Sequence, residues 1–145
     1  MQHRSPAQLY ALIFGIVLVA AGILGFFYEA SFSTGDKTLV ERDAVLGILD
    51  VNGWHNVVHI ASGLVGLAVA GSYANARLYA LGLGATYILM TILGFIYGDG
   101  DSIFKLIPVN TEDNILHLLI GVAGLGAGFA TPGEPSPTTR AATAR

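Results

Sequence analysis

Asn52, His55, Asn56 and His59 fall at i, i+3, i+4 and i+7, and Asn110, Asp113, Asn114 and His117 repeat that spacing. On a helix each set makes one face. His55-x-x-x-His59 stacks two imidazoles one turn apart, and Asp113-x-x-x-His117 does the same for a carboxylate and an imidazole. Three histidines and one aspartate at equal depth could surround a Zn, Cu, Mn or Fe ion. Asn56 and Asn114 would then be hydrogen-bonding partners of the ligands. His59 and His117 alone could instead be the axial pair of a b-type haem, with Gly63 and Gly121 leaving room for the macrocycle. The plainest reading needs no cofactor. Asn52 and Asn110 suit helix N-caps, and the remaining polar groups can hydrogen-bond between helices at about 0.6 kcal/mol each in a membrane.

The elements that must carry these residues are apolar. The 145-residue chain is 53% hydrophobic and 12% charged, with a mean hydropathy of +0.63, against about 25% charged residues in a soluble domain. Leu9–Tyr28, Leu78–Tyr97 and Ile115–Ala130 contain no charge at all. Each approaches the roughly 20 residues that cross a hydrocarbon core. The polar face of Asn52 to His59 interrupts a fourth apolar run near its start. The expectation is an all-α transmembrane four-helix bundle with spans at about 9–28, 51–71, 78–97 and 112–130. The first run is longer than a signal-peptide core and recurs as the third span, so it is expected to stay in the fold.

The recurrence is an internal repeat. Leu9-Tyr10-Ala11-Leu12, Gly15 and Ile23-Leu24-Gly25-Phe26 match Leu78-Tyr79-Ala80-Leu81, Gly84 and Ile92-Leu93-Gly94-Phe95, an offset of 69 residues (10 to 79). Val51-Asn52, Asn56, His59, Gly63 and Gly66 match Val109-Asn110, Asn114, His117, Gly121 and Gly124, an offset of 58 residues (59 to 117). Two consecutive two-span units enter the membrane in the same direction, a parallel duplication. Equivalent polar residues then share one depth, and the glycines on the same faces let helices approach closely.

Arg4, Arg77, Arg140 and Arg145 lie on the termini and the central Ser72–Arg77 turn, while the two intra-unit loops are acidic. By the positive-inside rule both termini are expected in the cytoplasm. The Pro-, Ser- and Thr-rich tail 131–145 is expected to be disordered. Tyr10, Tyr28, Trp54, Tyr79 and Tyr97 sit at span ends, where aromatic belts form. Glu29 and Asp50, at the ends of the long loop, are expected to be solvated. Asp99-Gly100-Asp101-Ser102 resembles the start of a calcium loop but lacks the downstream glutamate, and is expected to be an interfacial turn. Without cysteine there is no disulfide, thiolate or iron–sulfur chemistry. There is no basic stripe for nucleic acid, and no catalytic triad, phosphate loop or paired-carboxylate signature. The inner halves of the spans are too apolar for a transport path.

Val51-Asn52-x-x-His55-Asn56-x-x-His59-x-x-x-Gly63, followed by Phe104-x-x-x-Pro108-Val109-Asn110-x-x-Asp113-Asn114-x-x-His117, resembles a bacterial family of small four-span membrane proteins. That family is known as a domain of unknown function and is frequent in actinobacteria. The likeness covers about residues 5–130. It implies four helices and a bacterial plasma-membrane location, and carries no activity or ligand. A looser likeness to small four-span proteins of the DoxX type, some tied to redox chemistry, is one of fold alone. The sequence therefore points to a non-enzymatic structural or accessory membrane component without a cofactor, possible as a homo-oligomer or a subunit of a larger complex. Its outer-leaflet Asn/His/Asp cluster between helices is the feature that offers metal (His₃Asp) or b-haem binding as the alternative.

Overall fold

The computed structural model describes residues 4–35, 44–99 and 101–133. Four helices carry the chain: α1 (Pro6–Tyr28), α2 (Gly53–Val69), α3 (Tyr73–Tyr97) and α4 (Thr111–Ala130). Between α3 and α4 stands a hairpin of two three-residue strands, β1 (Asp101–Ile103) and β2 (Ile107–Val109). Three of the four helices, α1, α3 and α4, are long and apolar enough to cross a membrane. At 17 residues and with its polar start, α2 is shorter than the expected span 51–71.

Each helix begins where its sequence supplies an oxygen for the unpaired first-turn amides. Ser5 and Gln8 form a reciprocal capping box, with Pro6 in the first turn where its missing N–H costs nothing. Asn52 and Asn110 accept from the amides of His55 and Asp113 at 2.9 and 2.8 Å, the caps expected from the sequence. Ser72 caps α3. The helix consequently starts at Tyr73, and Arg77 lies inside it rather than in a turn.

α1 lies along α2 and α3 along α4, while contacts between these two pairs are sparser. The shared core is made of small residues and a few large ones, including Ala7, Ala11, Leu18, Ala76, Ala80, Tyr87 and Ile120. The outward faces, with Ile13, Ile16, Leu78, Leu89, Ile92 and Phe95, remain apolar and exposed. The end carrying the termini is tied at Thr131. Its hydroxyl accepts from the Ala7 amide, and its carbonyl accepts from Arg77 Nε at 2.7 Å. Thr131 is fully buried, so order runs past Ala130 into the start of the segment expected to be disordered; residues 134–145 lie outside the described residues. So do Asp36, Lys37, Glu41, Arg42 and Asp43 of the long loop.

Tyr10 and Tyr79 are not belt residues. The Tyr10 hydroxyl donates to the carbonyl of Ile120 at 3.1 Å, and that of Tyr79 to the carbonyl of Ser62 at 3.0 Å. Each tyrosine of one helix pair thus reaches the other pair at corresponding positions.

The hairpin is an addition to the all-α expectation. Of the turn expected at 99–102, Asp99 is in a turn, while Asp101 and Ser102 begin β1, which pairs antiparallel with β2 so that Ile103 faces Ile107. Its tip places Phe104 and Lys105 at φ of 52° and 61°. That is the left-handed geometry of hairpin turns, usually given to Asn-Gly or Asp-Gly. Before α2 the chain makes a like turn, with Leu46 and Gly47 at φ of 57° and 71° and a bridge between Val45 and Leu49.

Candidate functional site: a buried histidine cluster

Asn52 and Asn110 do more than cap. The Asn52 amide nitrogen donates to the carbonyl of Leu106 in the hairpin tip, and that of Asn110 to the carbonyl of Ile48, both at 2.6 Å. Each cap therefore holds the turn that precedes the other helix. Asn56 donates to the carbonyl of Glu29 at 2.8 Å, anchoring the end of α1. Its amide oxygen lies against Gly25, where any Cβ would collide with it, and the Asn114 oxygen lies against Gly94 in the same way. Asn56 and Asn114 thus pack their own helix pairs together. They are turned toward α1 and α3, away from the role of ligand partners.

With the asparagines so committed, the inward face is left to imidazoles. Ligand nitrogens of His55, His59 and His117 all lie within 4.8 Å of one another. The ring centroids are 4.4 Å apart for His55 and His59 and 5.9 Å for His55 and His117. His55 is 3% and His117 4% exposed. His55 Nδ1 faces the carbonyl of Asp50 at 3.1 Å. A carbonyl only accepts, so Nδ1 carries the proton and Nε2 keeps its lone pair. A carbonyl that accepts from one ring nitrogen and so fixes the ring is usual for metal-bound histidine. Among the described residues, His117 Nδ1 is buried without a hydrogen-bond partner, as are the amide oxygens of Asn56 and Asn114, an arrangement that proteins rarely leave uncompensated. Its ring also packs on Tyr87, at 5.0 Å between centroids.

Asp113 is not with the histidines. Its Oδ2 accepts from the Asp50 amide at 2.9 Å, and among the described residues the convergent ligand group is His55, His59 and His117. The backbone of Asp50 is thereby held on both sides, its N–H by Asp113 of α4 and its carbonyl by His55 of α2. Asp50 is half-buried and not freely solvated. Burial, and then the carboxylates of Glu112 and Asp99, push its carboxyl above the usual range, tempered by the Asn110 amide.

Beside the cluster is a cavity of about 250 Å³. It is lined by the three histidines and Val58 and Ser62 of α2, Leu83, Thr86, Tyr87 and Met90 of α3, and Phe104 and Ile107 of the hairpin. Ser62 and Thr86 give their hydroxyl protons to carbonyls of their own helices, Val58 at 2.7 Å and Gly82 at 2.9 Å. Nothing in the composition of the hairpin advertised it as a wall of this space.

Residues 8–130 match the model of the family described as Domain of unknown function (DUF4383). The chain belongs to that family. No curated protein and no solved structure matches it.

Proposed function

We propose that this member of the family is a four-span membrane protein made of two copies of one two-helix unit, and that His55, His59 and His117 hold a d-block metal ion. Support for four spans comes from α2 itself. Its 17 residues reach about 26 Å at 1.5 Å per residue, the short end of the spanning range, and its histidines and asparagines turn inward. Support for duplication comes from paired contacts at one register: Tyr10 to Ile120 with Tyr79 to Ser62, and Asn52 to Leu106 with Asn110 to Ile48. Arg4 and Arg77 lie at the termini end, and the acidic side chains gather at the loop end, favouring cytoplasmic termini. The paired asparagine contacts at the loop end lock the units together, and the metal sits one turn below them.

The observation that carries the metal reading is the convergence of one nitrogen from each of three imidazoles to within 4.8 Å of one another. Metal–nitrogen bonds of about 2.0–2.1 Å draw tetrahedral ligands to about 3.4 Å from one another, a closure that side-chain rotation provides. Imidazole suits Zn, Cu, Fe or Ni. With Asp113 engaged elsewhere, Mn²⁺, which prefers carboxylate, is disfavoured. A haem on His59 and His117 is disfavoured too, because a His55 nitrogen lies within 4.8 Å of both and would crowd a macrocycle held there.

Protein purified without a histidine tag should carry about one metal ion per chain by elemental analysis, and a His59→Ala, His117→Ala double variant none. An ion that binds only the native state raises stability by about 2.7 kcal/mol at a hundredfold excess over its Kd. Metal-free protein whose melting temperature ignores added Zn²⁺ and Cu²⁺ would refute the assignment.

A further inference from the structure

The cavity touches the three histidines, yet what it touches is carbon. Almost all of its accessible wall is apolar, although three imidazoles belong to that wall. Ser62 and Thr86 have given their hydroxyl protons to helix carbonyls. A space walled by carbon stays dry. The rings therefore show it their carbon edges, and His117 Nδ1 is out of reach of solvent. The ligand nitrogens converge on one another instead, within 4.8 Å. Asp113 spends Oδ2 on the Asp50 amide, and among the described residues no carboxylate oxygen joins the converging group. The donor set is three neutral nitrogens, with no anion among them and no nearby source of oxygen for a fourth bond.

That donor set separates the ions that imidazole can hold. Zn²⁺ takes four ligands. Cu²⁺ and Ni²⁺ favour square-planar or tetragonal sites, and non-haem Fe²⁺ is held by a carboxylate beside its histidines. Each would have to bring a further ligand with it. Each would also leave a double positive charge without an anion in dry surroundings. The cost of burying a charge grows as its square, so a divalent ion costs about four times as much as a monovalent one. Cu⁺ has a filled d shell, is stable with three nitrogens in a plane, and carries half the charge. We infer that the cluster is a copper(I) site: His55, His59 and His117 hold one Cu⁺ in three-coordinate geometry, and the apolar space beside them keeps oxygen donors from the fourth position. This rests on the metal reading above and narrows it to one ion. Trigonal bonds of about 2.0 Å set the nitrogens about 3.5 Å apart, a closing movement from their 4.8 Å limit that side-chain rotation supplies.

The test uses full-length, tag-free protein in lipid nanodiscs, stripped of metal and titrated under nitrogen with Cu⁺ and, separately, with Zn²⁺. A competing chromophoric chelator sets the free concentration of each ion. Cu⁺ should bind at one equivalent per chain, with a Kd about a thousandfold or more below that of Zn²⁺. X-ray absorption at the copper edge should show three imidazole nitrogens, no fourth light atom, and the strong pre-edge feature of three-coordinate Cu⁺. His59→Asp trades a neutral donor for an anion and should narrow the preference for Cu⁺ by about tenfold or more; His117→Asp makes the same exchange should the first variant not fold. Zn²⁺ bound as tightly as Cu⁺, a copper spectrum with two or four ligands, or a preference that the added carboxylate leaves unchanged overturns the inference while the metal reading stands. Failure of both ions to bind ends the metal reading, and the copper assignment with it.

Discussion

The two seams between the helix pairs are built from corresponding positions, and one is filled where the other is hollow. On the filled side, Leu18 of α1 and Ile120 of α4 are buried in the core. Their counterparts by the 69- and 58-residue offsets are Tyr87 (18 to 87) and Ser62 (62 to 120), both on the cavity wall. Ile120 on one side is thus answered on the other by Ser62, whose hydroxyl bonds back to its own helix. A scaffold that packs one seam well can leave the second hollow at small cost.

The polar layer differs in the same directed way. Asp113 corresponds to His55, and Asp50 to Pro108, both at an offset of 58 residues (55 to 113, 50 to 108). Asp50 has an amide that needs an acceptor, and Asp113 supplies it. Pro108 has no amide hydrogen, so position 55 is released from that duty and carries an imidazole instead. The third imidazole is explained by a missing N–H at the position opposite it.

Substitutions can break this comparison or sharpen it. The largest effects belong to the glycines that receive the asparagine amides. Gly25→Val and Gly94→Val should each lower stability in detergent by about 3 kcal/mol, read as similar losses of melting temperature. Tolerance of one and not the other would mean that the two helix pairs are not equivalent.

Next is Asp113. Asp113→Ala removes the acceptor of the Asp50 amide and should cost about 1–2 kcal/mol. Asp113→Asn keeps an acceptor and should cost less. Neither should change metal stoichiometry; loss of the ion in Asp113→Asn would restore the carboxylate to the ligand set. Tyr10→Phe and Tyr79→Phe should follow as a matched pair near 0.6–1 kcal/mol each, and a silent member would break the symmetry of the crossing contacts.

The smallest effect concerns Asp50, whose carboxyl is held above the usual range by burial and neighbouring acids. In the folded state it keeps its proton to higher pH than in the unfolded chain. Stability therefore falls as pH rises through the interval between the unfolded and folded values. Asp50→Asn should raise the melting temperature at pH 7, and the gain should vanish once pH drops below the ordinary carboxylate value. An equal gain at both would remove the carboxyl charge as its cause.

Much of this was legible in the residues. The charge-free runs gave the three long helices, the asparagines gave the caps of α2 and α4, and i, i+4 spacing put His55 with His59. What escaped was set by partners remote in sequence. Asp113 and His117 share a helix face, but the amide that claims the carboxylate comes from Asp50, in the loop of the other helix pair. Tyr10 and Tyr79 resemble belt residues until the opposite carbonyls are known. The hairpin escaped because Phe104-Lys105 lacks the glycine or asparagine that usually marks such a tip, and a strained tip of this kind stands only when the surrounding contacts over-determine it.

The central claim, that three imidazoles and no carboxylate hold an ion with one position open, is tested most directly by X-ray absorption at the metal edge of protein loaded with one equivalent of Zn²⁺. The account predicts three imidazole nitrogens at about 2.0–2.1 Å and one further light ligand, reduced to two imidazoles in His55→Ala with Asp113→Asn unchanged. A spectrum fitted by fewer imidazoles in the native protein, or one that His55→Ala does not alter, would contradict it.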